Sequence, residues 1–99
     1  MATFISTITF TEQGIQNIRE SPKRASAFKS AAKKIGVKIT DIYWTDGGFD
    51  GVLIFNAPDD ETATAAALLL SAQGNVRTTT ARAYGSTEME KIIGLLAKK

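Results

Sequence analysis

The chain contains no cysteine and no histidine. Without cysteine there can be no disulfide, no thiolate nucleophile, and no iron–sulfur or cysteine-bound zinc site. Without histidine the commonest general base, the commonest transition-metal ligand and the usual proximal haem ligand are gone. Any catalysis must rest on Asp, Glu, Lys, Tyr, Arg, Ser or Thr. The two prolines, Pro22 and Pro58, both fall at element boundaries, and there is no low-complexity linker. No run approaches the ~18 consecutive apolar residues that a spanning helix needs. The opening MATFISTITF lacks the basic first segment of a signal peptide. These absences lead us to expect a cytoplasmic protein with no metal, no cofactor and no membrane contact.

What is there fits one small domain over residues 1–99, 43% hydrophobic and 22% charged. A chain this short buries a modest fraction of its surface, so burial against a partner is a natural source of stability. Twelve basic residues against ten acidic ones give +2, too little to argue by itself for nucleic acid or an anionic membrane. The basic residues cluster: seven lie between Arg19 and Lys38, with Glu20 the one acid among them. The plain reading is a solvated helix face. The other is a phosphate-binding surface.

Residues 3–10, TFISTITF, are β-branched and aromatic and predict a strand, with Phe4, Ser6, Ile8 and Phe10 on one side. Thr11 is placed to cap a short helical turn in TEQGIQNI. Ser21-Pro22 starts a second helix, on which Ala25, Phe28, Ala32 and Ile35 recur at helical spacing. Gly36 closes it. VKITDIYW, residues 37–44, alternates as a strand, and TDGG is turn chemistry. A third strand is expected from Phe49 to Ala57. Pro58 and Asp59 then stop it and cap an Ala/Leu-rich helix over 62–72, whose first-turn acids complement the helix dipole. Gly74 ends that helix, and 75–84 reads as a threonine-rich fourth strand. Thr87–Glu90 has the form of a capping box. Met89, Ile92, Ile93 and Leu96 then form an apolar stripe on a terminal helix.

The order β-α-β-β-α-β predicts an α+β, ferredoxin-like sandwich with a four-stranded antiparallel sheet. Both helices lie on one face, and a C-terminal helix follows. The third strand is apolar on both sides, with Leu53 and Phe55 against Val52 and Ile54. A sheet with one face in water alternates apolar and polar residues more cleanly than this. A large apolar patch on the open face marks an interface, and a symmetric homodimer is the simplest cover.

The chain resembles the GYD domain family, small bacterial and archaeal proteins. The family signature, Gly-Tyr-Asp at the start of the third strand, stands here as Gly48-Phe49-Asp50. TFTEQGIQNIRESPKRASAFK, IGVKITDIYWT, NAPDDETA and QGNVRTTTARAY also match, so the similarity covers nearly the whole chain. The resemblance implies a ferredoxin-like, dimeric α/β barrel and no defined reaction. Phe49 replaces the tyrosine, so an activity that needed that phenol would be missing.

Gly48-Phe49-Asp50 has two readings. In one, Gly47 and Gly48 turn the chain, Phe49 packs, and Asp50 caps or pairs. In the other, Asp50 is a carboxylate at a pocket edge, tuned by Tyr43 or Arg82. Tyr43 and Trp44 point to opposite faces of their strand. Arg82 shares a face with Val76, Thr78, Thr80 and Tyr84, and it suits either an anion or an ion pair with Asp41 or Asp50. Asp59, Asp60 and Glu61 lack the spacing of a calcium loop. An RNA-recognition strand needs a basic residue followed by alternating aromatics. Gly47 and Gly51 break that pattern, so nucleic acid is not the expected partner. Two functional readings remain. One is a homo-oligomer, dimeric or larger, that assembles through its sheet face. The other is a cofactor-free enzyme or sensor with a small-molecule pocket, Asp50 or Tyr43 acting as acid/base and Arg82 holding an anion.

Overall fold

The computed structural model describes residues 1–97. Strand β1 (Ala2–Phe10) leads through a short helix α1 (Glu12–Gln16) and a 3-10 turn (Ile18–Glu20) into helix α2 (Ser21–Lys34). Strands β2 (Lys38–Trp44) and β3 (Gly51–Ala57) follow, then helix α3 (Asp60–Ser71), strand β4 (Val76–Ala83) and helix α4 (Ser86–Leu95). The sheet order is β2-β3-β1-β4, and every pair is antiparallel. The first and third strands are central, as the sequence order predicts.

Side chains are sorted by strand parity. On β3, Gly51, Leu53, Phe55 and Ala57 are buried, while Val52, Ile54 and Asn56 are only half-buried. Phe28 and Ala32 of α2 and Ala63 and Ala66 of α3 pack on the first set, together with Phe4, Val37 and Ile39. The Phe4 and Phe55 rings stack at 5.5 Å between centroids. A fully buried phenylalanine of this kind contributes roughly 1.5–3 kcal/mol. Ser6 is buried among them, and its hydroxyl meets that of Thr80 at 2.6 Å, so no polar group is stranded there. The helices thus cover one face and leave the other open.

The caps are mostly where their chemistry puts them. Thr11 accepts from the Gly14 amide, and Asp59 accepts from Thr62 at 2.7 Å. Gly36 and Gly74 follow their helices with φ of 87° and 82°.

Four expectations need correction. Strand β3 begins at Gly51 rather than Phe49, because Asp50 turns its side chain onto β1 (below). Strand β2 carries a bulge: Ile39 faces Phe55 and Asp41 faces Ile54, so Thr40 is the extra residue. The bulge shifts the parity and lets Ile42 and Trp44 follow Ile39 on the helix-covered side. Ile35 sits just beyond the last turn of α2 and is exposed. Helix α4 starts earlier than the Thr87–Glu90 pattern suggests: Gly85 is the N-cap, and its amide donates to the Glu88 carboxylate at 3.1 Å.

Helix α4 has no buried residue. The molecule measures 54 × 31 × 18 Å with a radius of gyration of 15.2 Å. A compact chain of this length has a radius of about 13 Å. The excess fits a terminal helix that stands off the body. Among the described residues no helix is long and apolar enough to cross a membrane.

Candidate functional site

The loop between β2 and β3 is a closed turn. Thr45 donates through its hydroxyl to Phe49 O at 2.6 Å and through its amide to Asp50 O at 3.0 Å. Gly47, at φ 150°, takes a backbone conformation that L side chains rarely adopt. The Asp50 amide donates to Ile8 O at 2.7 Å, and the Asp50 Oδ2 accepts the Phe10 amide at 2.8 Å. Strand β1 runs past the end of β3, so this Phe10 N–H has no β3 carbonyl to meet. The Asp50 carboxylate replaces it. Phe49 is 40% exposed and does not enter the core.

Beside this loop lies a cleft between α2, the end of the sheet and the loop that follows α3. It holds about 60 Å³ of free space. Ile8, Phe28, Ile42 and Leu53 supply an apolar floor, and Asp50, Trp44 and Arg24 stand on its walls. The Trp44 indole N–H donates to Ser21 Oγ at 2.9 Å and ties β2 to the start of α2. Arg24 donates through Nη1 to Asn17 O at 2.7 Å, while its Nη2 is buried without an acceptor.

Of the three residues singled out from sequence, the structure brings two to this cleft. Asp50 lines it. Tyr43 touches it, but Tyr43 pairs with Val52 on the open side of the sheet, and its hydroxyl lies 3.5 Å from Asp41. Arg82 is elsewhere. It pairs with Phe4, four to six β1 residues from the Asp50 contacts, which is about 13–20 Å at ~3.3 Å per residue. Its partner is Glu88 at 2.9 Å, not Asp41 or Asp50. Nη1 also donates to Thr3 O and Ala83 O, and the guanidinium sits 4.7 Å from the Tyr84 ring centroid. These bonds leave Arg82 little capacity for a ligand. They also hold the Glu88 carboxyl below the usual glutamate range, through Arg82 first and the Gly85 amide second.

Arg24 is the residue that the charge run concealed. A signal was present: Arg24 lies four positions before Phe28, on the helix face that enters the core.

A second surface is the open sheet face. Across the four strands, Asp41, Ile54, Ile5 and Ala81 stand in one row and Tyr43, Val52, Thr7 and Thr79 in the next. Ile5 is 38% exposed at the centre of this face. Met89, Ile93, Leu95 and Leu96 of the α4 region are exposed as well.

The sequence model of the GYD domain matches residues 4–93. A curated relative from Thermus thermophilus is 31% identical over 84 residues, spanning 84% of this chain and 88% of the relative. That protein is named glutamine synthetase and cystathionine beta-lyase binding protein.

Proposed function

The chain belongs to the GYD domain family, and from that premise we propose that it is a homo-oligomeric, protein-binding domain. In this reading the fold is ferredoxin-like, and two subunits pair their open sheet faces as a dimeric α/β barrel. The row Ile54–Ile5–Ala81 carries the proposal. Apolar residues at the centre of an uncovered sheet face are costly in water and become favourable against a second copy. Self-pairing needs only one surface, which makes a twofold dimer the economical solution.

The relative's name supports a partner of another kind, since that protein is called a binding protein for two enzymes. We extend partner binding to this chain and assign it to α4, whose apolar stripe is free. Native mass spectrometry of the intact chain is the test. A dimer or larger oligomer is expected, and a monodisperse monomer at micromolar concentration overturns the reading.

A second reading concerns the cleft. Its apolar floor and its two charged walls favour a cofactor-free site for a small molecule. Here Asp50 is the polar anchor, with Tyr43 at the rim and Arg82 outside. A ligand bound to the native state must raise the melting temperature, so a metabolite panel that leaves it unchanged removes this reading.

A further inference from the structure

Two groups of opposite charge line the cleft, and they do not pair with each other. Among the described residues the one ion pair is Arg82–Glu88. Arg24 spends Nη1 on Asn17 O and keeps Nη2 buried without an acceptor. Buried polar atoms in native proteins are nearly always satisfied, so an orphaned guanidinium N–H marks a missing acceptor. Asp50 uses Oδ2 for the Phe10 amide, and no described residue donates to its Oδ1. Most of the surface between them is apolar, from Ile8, Phe28, Ile42 and Leu53.

Each simple ligand class leaves part of this arrangement unmatched. An apolar molecule leaves both charges unpaired. A plain carboxylate answers Arg24 but brings a second negative charge near Asp50. A plain amine does the reverse. A zwitterion answers both. The free space is about 60 Å³. On that measure one water needs roughly 10–15 Å³, so the site admits a ligand about the size of four to six waters.

We propose that the cleft binds a free α-amino acid with a small apolar side chain. The carboxylate meets Arg24, the ammonium faces Asp50, and the side chain lies on the apolar floor. This deepens the small-molecule reading of the cleft and rests on it. It does not depend on how the sheet faces pair.

Trp44 gives a direct readout, because it is the single tryptophan and stands on the cleft wall. The experiment titrates the full chain, in its native assembly, with L-valine, isovalerate and isobutylamine while following Trp44 fluorescence and melting temperature. Isovalerate lacks the amine, and isobutylamine lacks the carboxylate. Valine is expected to give a saturable change, with each truncated analogue weaker by about tenfold or more, the usual effect of losing one charge-assisted hydrogen bond. Arg24→Gln should weaken valine by a similar factor but not weaken isobutylamine, whose ammonium no longer meets a like charge. If isovalerate binds as tightly as valine, or if Arg24→Gln binds valine normally, the amino-acid assignment is wrong although the cleft still binds small molecules. If none of the three ligands changes fluorescence or melting temperature, the proposal falls, and with the failure of a wider panel the cleft reading falls too. The comparison of ligands on the unmodified protein decides the matter even if the variant folds poorly.

Discussion

The Phe10 amide donates to the Asp50 carboxylate across 2.8 Å, bridging forty positions of sequence. That bond explains why the glycine-rich loop ends in an acid. In the β1/β3 register Phe10 falls opposite Phe49, two positions before β3 begins at Gly51, and the Asp50 side chain completes the ladder there.

Asp50→Ala should therefore destabilise the fold by about 1–3 kcal/mol, the usual cost of leaving a part-buried amide unsatisfied. Asp50→Asn keeps an acceptor and should cost clearly less. Urea denaturation of both variants makes the comparison. Equal losses would mean that the charge, rather than the acceptor, is what the site needs.

Gly14 permits a close approach that no other residue can make. A Cβ placed there would sit 2.0 Å from Asn75 O, a backbone atom that cannot swing away. The same carbonyl receives the Thr11 amide at 3.1 Å, so α1 and the start of β4 are locked together. Gly14→Ala should cost about 1–3 kcal/mol by overpacking, and its better helix propensity does not relieve this, since the clash is with a neighbouring segment. Thermal and chemical denaturation read this directly. A neutral or stabilising result would show that α1 can shift without loss.

The architecture was legible because its signals are strong and local. Parity on β3, the caps Thr11 and Asp59, and Gly36 and Gly74 all declare themselves in single windows of sequence. What stayed hidden depends on the third dimension. The Thr40 bulge reverses the parity of β2 without any glycine or proline to announce it. The partner of Arg82 is Glu88, six residues on, a contact made only once the chain turns from β4 into α4. Arg24 looked like one charge in a basic run, and only burial distinguishes its Nη2 from the solvated lysines around it. Composition reports how many charges a helix carries, not which of them loses its water.

The Arg82–Glu88 contact should make α4 sensitive to acid. The Glu88 carboxyl is held below its ordinary range by Arg82 and then by the Gly85 amide. The folded chain thus gives up this proton more readily than the unfolded chain. The contact's contribution is complete above the ordinary glutamate value and is lost as pH falls through the lowered folded one. Hydrogen exchange at the amides of residues 88–95 should accelerate at acid pH before the sheet amides do. Glu88→Gln should show that faster exchange already at neutral pH. Equal protection in wild type and variant would mean that α4 is held by something other than this clasp.

The open sheet face yields the sharpest test of assembly. Ile54 and Ile5 are direct neighbours across β3 and β1, and both project away from the helices. Ile54→Lys places a charge at the centre of that face while leaving the helix-covered core untouched. If subunits pair there, the variant carries an ammonium into the interface beside the Asp41 carboxylate, its direct cross-strand neighbour, and the cost of desolvating both charges favours dissociation. The expected result is a folded monomer by native mass spectrometry with the circular dichroism of the wild type. Truncation after Ser86 separates the two surfaces: it should leave a sheet-paired dimer intact while removing any larger assembly built through α4. An Ile54→Lys variant that stays oligomeric, together with a truncated chain that becomes monomeric, would transfer the self-association from the sheet to the terminal helix.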